Sequence, residues 1–431
     1  MRIGIDASRA TVARRTGTES YSLNLIRALI ALGGEDDLTL YFRNPPAAGQ
    51  FPAAPRLQLR VIPFPRLWTH LRLSWEMARR PPDVLFVPAH SLPLYAPRAS
   101  VVTVHDLGYL HYPETHSVSQ RMYLEWSTSF SARSAARIIA DSQATKQDLI
   151  QMYQLPPEKI VVVYPGRDES LQPVRDEAAL ARLRQKYNLP QSYLLHVGTI
   201  QPRKNLLRLV EAFHLLVSNS NSELTLAPDA GYSPRSGADH GPRSGAEWGW
   251  DAGGMQNAES SILHSAFRTT APASVAGVPH SPLGLVLAGR QGWLSQPILD
   301  RVRALGLDDR VRVLDYVADE DLAALYSAAE LYVFPSLYEG FGFTPLEAMA
   351  CGTPVVCSRA SSLPEVVGDA ARLVDPHDVP ALAAAMAEML ARPDLRAEMV
   401  ERGFRQSTKF SWARCAQETL AILREAALER R

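Results

Sequence analysis

The sequence lacks the features that mark several common classes of protein. Only three cysteines occur in 431 residues, without a CxxC pair, so neither a disulfide framework nor a cysteine-based metal cluster is expected. No apolar run is long enough to span a bilayer, and the N-terminus MRIGIDASRA lacks the layout of a secretory signal. These absences predict a cytoplasmic protein, and a peripheral position on the inner face of a membrane stays open.

Two further absences argue against nucleic-acid binding and against dinucleotide-dependent redox chemistry. Lys and Arg together number 45 and Asp and Glu also number 45, so the chain has none of the basic excess of a general nucleic-acid binder. No G-x-G-x-x-G follows the first apolar segment, as a dinucleotide oxidoreductase would require. Both absences therefore argue against these two classes.

Short apolar segments alternate with amphipathic helical patterns, which is typical of α/β proteins with parallel sheets. The length exceeds one ordinary core and predicts two domains. The first series of predicted strands comprises Ile3–Ile5, Leu38–Phe42, Leu57–Val61, Val84–Val87, Val101–Val104, Ile138–Ala140 and Ile160–Val163. The second comprises Tyr193–Val197, Leu285–Ala288, Val311–Val313, Leu331–Phe334, Pro354–Cys357 and Ala371–Val374. A polar stretch, PGRDESLQPVRDE, predicts a linker between them, and SWARCAQETLAILREAALERR predicts a final amphipathic helix.

One segment departs from this pattern. Ser218–Pro282 is rich in Ser, Gly, Pro and Ala and repeats PRSGA at Pro234–Ala238 and Pro242–Ala246. Its composition offers little apolar surface to offset chain entropy, which favours a disordered surface excursion. A lid or a partner-binding tail is the alternative.

The stretch SLYEGFGFTPLEAMACGTPVV, Ser336–Val356, places two acids around a glycine-rich turn. Thr344–Glu347 predicts a capping box with Pro345 at the first helical position, so free backbone N–H groups would face an anion. Glu347 then serves either as a cap or as a ligand contact. Glu339 lies just after a predicted strand end, where open α/β sheets bind ligands, and the alternative is a solvated loop acid.

A second constellation is HVGTIQPRKNLLRLVEAF, His196–Phe213. Asn205 is predicted to cap a helix, and Arg203 and Lys204 precede it where the helix dipole disfavours cations. A shared anion would remove that penalty, whereas the simpler interpretation is two solvated loop charges. Two helix N-termini of this kind suit a diphosphate, with Glu347 near a ribose and Glu339 near a sugar. The combination points to a nucleotide sugar.

These motifs resemble those of the retaining glycosyltransferases of family 4, the group-1 transferases with the two-domain GT-B fold. Glu339 and Glu347 match the E-x7-E motif, and GTIQPRKN, VLAGRQGW and SSLPEVVGDAARLVDP also follow the family pattern. The resemblance implies two Rossmann-like parallel-sheet domains that face a central cleft. Residues 1–170 would bind the acceptor, and residues 171–410, with the insertion 218–282, would bind the donor. Residues 411–431 would form a helix that crosses back to the first domain.

The resemblance also implies roles for particular residues. His105 in TVHDL and Glu339 would be catalytic, and Asp106 would lie on the acceptor side. The implied donor-binding residues are Gly17, Arg203, Lys204, Gly340, Phe341, Gly342, Phe343 and Glu347. His105 as an ordinary strand-end histidine, and Ser142 as a helix cap or as a ligand contact, stay open.

The function implied by the resemblance is transfer of a hexose to a polysaccharide or lipid-linked glycan. The GTIQPRKN loop resembles the corresponding loop of many mannosyltransferases, so mannose from GDP-mannose is favoured over glucose from a UDP-sugar. No metal or other cofactor is expected, because cations and helix N-termini would stabilise the leaving diphosphate. Asp319-Glu320-Asp321 spells a D-x-D pattern, but acids at a helix start are ordinary.

Other interpretations stay open. One is a sugar-nucleotide epimerase or phosphorylase of the same fold, and another is a non-catalytic nucleotide-sugar-binding protein. The basic, aromatic stretch Arg66–Arg80 is predicted either to pack as a surface helix against the core, which is favoured, or to contact an anionic membrane.

Overall fold

The computed structural model describes residues 1–12, 17–219, 282–290, 292 and 295–429. The insertion predicted at 218–282 therefore lies almost entirely outside the described residues. So do Arg14, Arg15 and Thr16 of the first glycine-bearing loop, and Gln291 and Trp293 of VLAGRQGW.

The N-terminal half is built on a seven-stranded sheet in the order β3-β2-β1-β4-β5-β6-β7. All of its neighbouring strands are parallel. Apolar strand side chains are buried on both faces, as expected for a parallel sheet covered by helices. The strands are β1 Arg2–Asp6, β2 Asp37–Phe42, β3 Leu57–Val61, β4 Val84–Val87, β5 Ser100–Val104, β6 Arg137–Ala140 and β7 Ile160–Val162.

The C-terminal half is built on a six-stranded parallel sheet in the order β10-β9-β8-β11-β12-β13. Its chain order reverses between β8 and β11, which are neighbours in the sheet. Ligands of such sheets bind beyond the carboxyl ends of the strands at this switch point. The strands are β8 Tyr193–Val197, β9 Gly284–Ala288, β10 Val311–Leu314, β11 Leu331–Phe334, β12 Val355–Ser358 and β13 Arg372–Val374.

Helices connect the strands and cover both sheets. In the N-terminal half they are α1 Gly17–Leu32, α2 Ser74–Arg79, α3 Gly108–His111, α4 Val118–Ser134 and α5 Gln143–Tyr153. In the C-terminal half they are α6 Glu177–Tyr187, α7 Leu206–Asn219, α8 Gln296–Ala304, α9 Asp319–Ser327, α10 Phe343–Ala350, α11 Leu363–Val367, α12 Val379–Ala391 and α13 Pro393–Ser407. A last helix, α14 Trp412–Leu428, packs against α1 and buries Cys415 and Leu423 in the N-terminal core.

The predicted fold class is confirmed. Each predicted strand appears within one residue or so of its predicted ends, because continuous apolar runs flanked by turn residues are a strong strand signal. In the part of the chain that the structure describes, no helix is long and apolar enough to cross a membrane.

Candidate active site

A cluster of charged side chains lies at the switch point of the C-terminal sheet. Arg203 and Lys204 follow β8, and Glu339 follows β11, the strand beside it. Lys204 Nζ is 2.7 Å from Glu339 Oε1, and Arg203 Nη1 is 3.3 Å from Glu339 Oε2. These three side chains are all largely buried, so the sequence-predicted residues form one compact charged group.

The ionisation of this group is fixed by mutual contact. Burial alone would raise the pKa of Glu339, but Arg203 and Lys204 together hold that pKa down to about 2. Ser336 Oγ donates a further hydrogen bond to the same carboxylate, and Ser361 Oγ accepts one from the Glu339 backbone N–H at 2.7 Å. Glu339 is therefore ionised throughout the physiological range and rigidly oriented.

The glycine-rich loop after Glu339 is shaped by close contacts that only glycine allows. A Cβ added to Gly340 would lie 2.0 Å from the carbonyl oxygen of His105, in the other half of the molecule. Gly342 has φ of 114° and would place a Cβ 2.8 Å from Leu363 Cδ2. Phe341 is buried and its carbonyl accepts from Ser362 Oγ at 2.6 Å. The loop is therefore held between His105 on one side and Ser362 and Leu363 on the other.

The predicted capping box at Thr344–Glu347 is wrong. Helix α10 begins at Phe343 with Gly342 as its N-cap, and no side chain caps it. The left-handed conformation of Gly342 starts the helix two residues earlier than predicted, so Pro345 is the third helical residue. Because no side chain makes a capping hydrogen bond, the first backbone N–H groups of α10 keep the capacity to bind an anion.

Glu347 instead points towards the neighbouring helix α9. Its Oε2 accepts a hydrogen bond from the hydroxyl of Tyr326 at 2.8 Å. Burial raises the pKa of the Glu347 carboxyl to about 7, and the Tyr326 hydrogen bond only partly opposes that shift. A half-buried carboxylate with one donor has further capacity to accept hydrogen bonds from hydroxyl groups.

The predicted cap at Asn205 is also wrong. Asn205 adopts a left-handed conformation with φ of 59°. Its amide donates to the carbonyls of Pro335 at 3.0 Å and Pro376 at 2.6 Å, and Arg208 donates to its oxygen. Asn205 therefore ties the Arg203–Lys204 turn to two neighbouring loops, which sets the position of the cations.

His105 lies at the end of β5 and its ring is turned into the N-terminal core. Nδ1 is 2.7 Å from Asp141 Oδ2, and Nε2 is 3.3 Å from the carbonyl oxygen of Pro88. Burial opposes a charged ring, but Asp141 raises the pKa of His105 above its ordinary value. Since both ring nitrogens face acceptors, the imidazolium form fits this position. What His105 presents to the C-terminal half is its backbone carbonyl.

Asp106 and Gly17 come from different parts of the N-terminal half to the same boundary. Asp106 Oδ1 accepts from the Gly108 backbone N–H at 2.9 Å. Burial would raise the pKa of Asp106, but Arg203 from the C-terminal half and His90 lower it. Gly17 begins α1 opposite Phe343, whose ring carbons would be 3.8 Å from an added Cβ.

Ser142 caps α5, because its side chain accepts a hydrogen bond from the Thr145 backbone N–H. One of the two interpretations of Ser142 predicted this cap.

The side chains that join the two halves were not predicted from the sequence. The Tyr338 hydroxyl donates to Asp148 Oδ2 at 2.7 Å and accepts from the Leu107 backbone N–H at 3.1 Å. Glu365 of α11 accepts from the first backbone N–H groups of α5, at 2.9 and 3.0 Å. Asp141 was missed too, although it directly follows strand β6. A polar residue at a strand end was the available signal for Asp141, whereas contacts across two halves leave no local signal.

Asp319, Glu320 and Asp321 lie in the first turn of α9, and Asp321 pairs with Lys186 at 2.6 Å. Across the residues with described positions, no group of three or more His, Cys, Asp or Glu could hold a metal ion.

Comparison with known proteins identifies the family. The model described as "Glycosyltransferase Family 4" matches residues 15–171, and that described as "Glycosyl transferases group 1" matches residues 270–406. The chain is 30% identical over 423 residues to the O-antigen chain mannosyltransferase B of Escherichia coli, which covers 94% of this chain and 95% of that protein. It is also 43% identical to the MMP alpha-(1->4)-mannosyltransferase of Mycolicibacterium hassiacum over 129 residues. These aligned residues make up 29% of this chain and 31% of that protein.

Solved structures share the fold. Sucrose-phosphate synthase from Thermosynechococcus elongatus superimposes with a TM-score of 0.67 at 20% identity, over 98% of both chains. Anabaena HepE in complex with UDP and glucose superimposes with a TM-score of 0.65 at 17% identity, over 99% of this chain and 100% of that one. The fold is therefore that of the GT-B enzymes, and the chain belongs to the family 4, group 1 glycosyltransferases.

Proposed function

We propose that this glycosyltransferase moves a hexose, namely mannose, from a nucleoside-diphosphate sugar to a growing polysaccharide or lipid-linked glycan, with retention of configuration. The observation that carries the donor assignment is the Arg203–Lys204–Glu339 cluster at the switch point of the C-terminal sheet. Two buried cations beside an uncapped helix start suit a diphosphate, and an oriented carboxylate suits sugar hydroxyls.

The donor would lie along the C-terminal half in three parts. Its diphosphate would contact Arg203, Lys204 and the backbone N–H groups of the Gly340–Phe343 loop. Its ribose hydroxyls would donate to Glu347, which has spare acceptor capacity beside Tyr326. The hexose would lie against Glu339, whose ionised carboxylate accepts hydrogen bonds from hydroxyl groups and stabilises developing positive charge on the ring.

The chemistry assigned to the cations follows from charge. When the bond between the hexose and the diphosphate breaks, negative charge develops on the leaving phosphate oxygen. Burial lowers the pKa of Lys204 and Glu339 opposes that shift, whereas Glu339 raises the pKa of Arg203. Both cations are paired with Glu339, oriented and largely removed from water, so they can stabilise that charge with little reorganisation. Glu339 keeps both cations in place until the diphosphate shares them.

The N-terminal half would supply the acceptor side. The His105 carbonyl and the Asp106 carboxylate lie where the two halves meet, beside Gly340 and within the electrostatic reach of Arg203. We assign Asp106 to acceptor hydroxyls and Gly17 to the diphosphate edge. The division into an acceptor half, residues 1–170, and a donor half, residues 171–410, is part of the same proposal.

The choice of mannose rests on relatives. The E. coli protein that matches this chain along 94% of its length is named as an O-antigen chain mannosyltransferase, and the Mycolicibacterium match is also named as a mannosyltransferase. Glucose from a UDP-sugar is the competing donor, since HepE was solved with UDP and glucose.

A donor panel tests the proposal. The protein is heated with GDP-mannose, GDP, UDP-glucose, UDP and free mannose, and the midpoint of unfolding is recorded. We expect GDP-mannose and GDP to raise it and UDP-glucose to have a smaller effect. Stabilisation by UDP-glucose alone would replace mannose with glucose, and no stabilisation by any nucleotide would refute the donor site.

Product analysis separates transfer from the other activities of this fold. With donor and a mannose-containing oligosaccharide, transfer releases GDP and lengthens the acceptor. An epimerase changes the nucleotide sugar with no acceptor present, and a non-catalytic binder leaves both substrates unchanged. Either outcome would contradict the proposed transferase activity while leaving donor binding in place.

A further inference from the structure

A histidine lies in the buried strand that leads to the charged cluster. His196 is the fourth residue of β8, in the otherwise apolar segment YLLHV, and its side chain is buried. Its ring stacks on Phe334 and Tyr332 of the neighbouring strand β11, with ring centroids 5.5 and 6.4 Å apart. A buried polar ring is unfavourable unless its nitrogens are hydrogen-bonded. Stacking alone therefore does not account for a histidine at this position.

Only one of the two ring nitrogens of His196 has a partner among the described residues. Nδ1 is 3.1 Å from the carbonyl oxygen of Val333. Because a carbonyl only accepts, Nδ1 carries the proton and Nε2 presents a lone pair. Burial, assisted by the Lys204 cation, lowers the pKa of His196 to about 3, so the ring is neutral. Nε2 is therefore a buried, oriented acceptor to which no group in the described part of the chain donates.

This unused acceptor lies beside Lys204. A Cβ added to Gly198 would be 3.4 Å from His196 Nε2, 3.6 Å from Lys204 Cε and 4.0 Å from Lys204 Nζ. The ring nitrogen and the ammonium therefore flank a space that glycine leaves open. They also share a neighbour, because Lys204 Nζ lies 4.8 Å from the centroid of the Phe334 ring on which His196 stacks.

The Lys204 ammonium needs more acceptors than Glu339 alone provides. It has three N–H donors in a largely buried position, and one of them donates to Glu339 Oε1 at 2.7 Å. Under the proposed function a second would donate to the diphosphate of the donor. A third donor left unpaired on a buried cation would be costly, since hydrogen bonds to charged groups are among the stronger ones. An acceptor for the third donor is therefore expected close to Lys204.

We propose that His196 is a positioning residue for Lys204. When the diphosphate binds, the ammonium donates to the diphosphate, to Glu339 and to His196 Nε2, so that each of its donors has an acceptor. This inference rests on the proposed function and names the residue that keeps Lys204 charged and directed at the phosphate oxygens. A neutral acceptor suits the task, because a second carboxylate would offset the positive charge that the diphosphate requires. No proton moves and no covalent bond forms.

Three substitutions of His196 separate the roles of its two nitrogens. His196→Phe keeps the stacking on Phe334 and removes both nitrogens. His196→Asn keeps an N–H donor for Val333 and removes the acceptor beside Lys204, whereas the longer His196→Gln keeps an amide oxygen there. In calorimetry, His196→Phe and His196→Asn should bind GDP about tenfold more weakly than the parent, and His196→Gln within about threefold of it.

The pH dependence of GDP binding distinguishes positioning from packing. Loss of an acceptor lowers the pKa of an ammonium group, so the alkaline decline in GDP affinity should begin about one pH unit lower in His196→Phe than in the parent. NMR of the GDP-bound chain with labelled lysine Cε measures the same titration directly. The chain has only five lysines, and the Lys204 signal is identified by its absence from Lys204→Arg.

The matched control is Tyr193→Phe, which removes a buried hydroxyl at the other end of β8 that donates to the Leu325 carbonyl at 2.8 Å. It should keep the GDP affinity and pH dependence of the parent. Parent-like affinity and pH dependence in His196→Phe and His196→Asn would overturn the proposal and leave His196 a packing residue. If His196→Phe does not fold, the comparison of His196→Asn with His196→Gln decides. A parent that binds no GDP would instead refute the donor site itself.

Discussion

Glu347 offers a test in which stability and donor binding move in opposite directions. Burial raises the pKa of its carboxyl from 4.5 to about 7 in the folded chain. A shift of that size corresponds to a cost of up to about 3 kcal/mol when the group is charged. Because the folded-state pKa is the higher one, the cost is absent below the unfolded value of 4.5. It grows as the pH rises and is complete above about 7.

The variant Glu347→Gln removes the charge and keeps both the shape and an oxygen for the Tyr326 hydroxyl. We expect it to be more stable than the parent by about 1–3 kcal/mol above neutral pH, with the difference vanishing in mild acid. Thermal unfolding across that range measures the effect. Glu320→Gln, which changes an exposed acid at the start of α9, is the matched control and should show no such trend.

The same substitution should weaken donor binding. Ribose hydroxyls that donate to a carboxylate would meet a neutral amide, and charged hydrogen bonds are about twice as strong as neutral ones. The parent should bind GDP more tightly as the pH rises through about 7, whereas the variant should lack that dependence. A variant that is less stable than the parent at alkaline pH, or that binds GDP as well as the parent does, would refute this account of Glu347.

Three further predictions follow from the site. Lys204→Ala should raise the KM for donor about 100-fold, because it removes one of two buried cations. Lys186→Ala, in the same half, is the control and should leave this KM unchanged. Measuring the rate of transfer at increasing donor concentration gives both values. In Gly340→Ala the new Cβ would lie 2.0 Å from the His105 carbonyl oxygen, so the two halves would have to move apart. This variant should lower kcat about 100-fold and increase the radius of gyration measured by X-ray scattering. An unchanged radius of gyration would contradict this prediction. Asp141→Asn should lower the ring pKa of His105 in NMR titration, since the carboxylate that raises it is gone, and an unchanged ring pKa would disprove the pairing.

The Asp141→Asn substitution should also change how the stability of the fold depends on pH. Because Asp141 raises the folded-state pKa of His105 above 6.5, the pair stabilises the fold below that pH. The contribution is lost as the pH rises through the folded-state value. The stability difference between parent and Asp141→Asn should therefore be largest in mild acid and shrink towards alkaline pH.

The sequence by itself determined the two parallel sheets and the main charged loops. Buried parallel strands are continuous apolar runs, so Tyr193–Val197 and Leu331–Phe334 are visible without a structure. Arg203, Lys204 and Glu339 could be named as one group because both loops follow strand ends, and parallel strands end at the same edge of a sheet. These inferences need only local periodicity and chain direction.

Only the tertiary structure decided how those residues are held and how the two halves meet. The capping box failed because Gly342 adopts a left-handed conformation that starts α10 earlier. The Asn205 cap failed because the Asn205 oxygen accepts from the Arg208 side chain, while its amide donates to Pro335 and Pro376. The approach of Gly340 to His105 joins residues 235 positions apart, and Tyr338 reaches Asp148 across 190. Contacts at such separations depend on how two cores are packed together, and no short stretch of sequence encodes that distance.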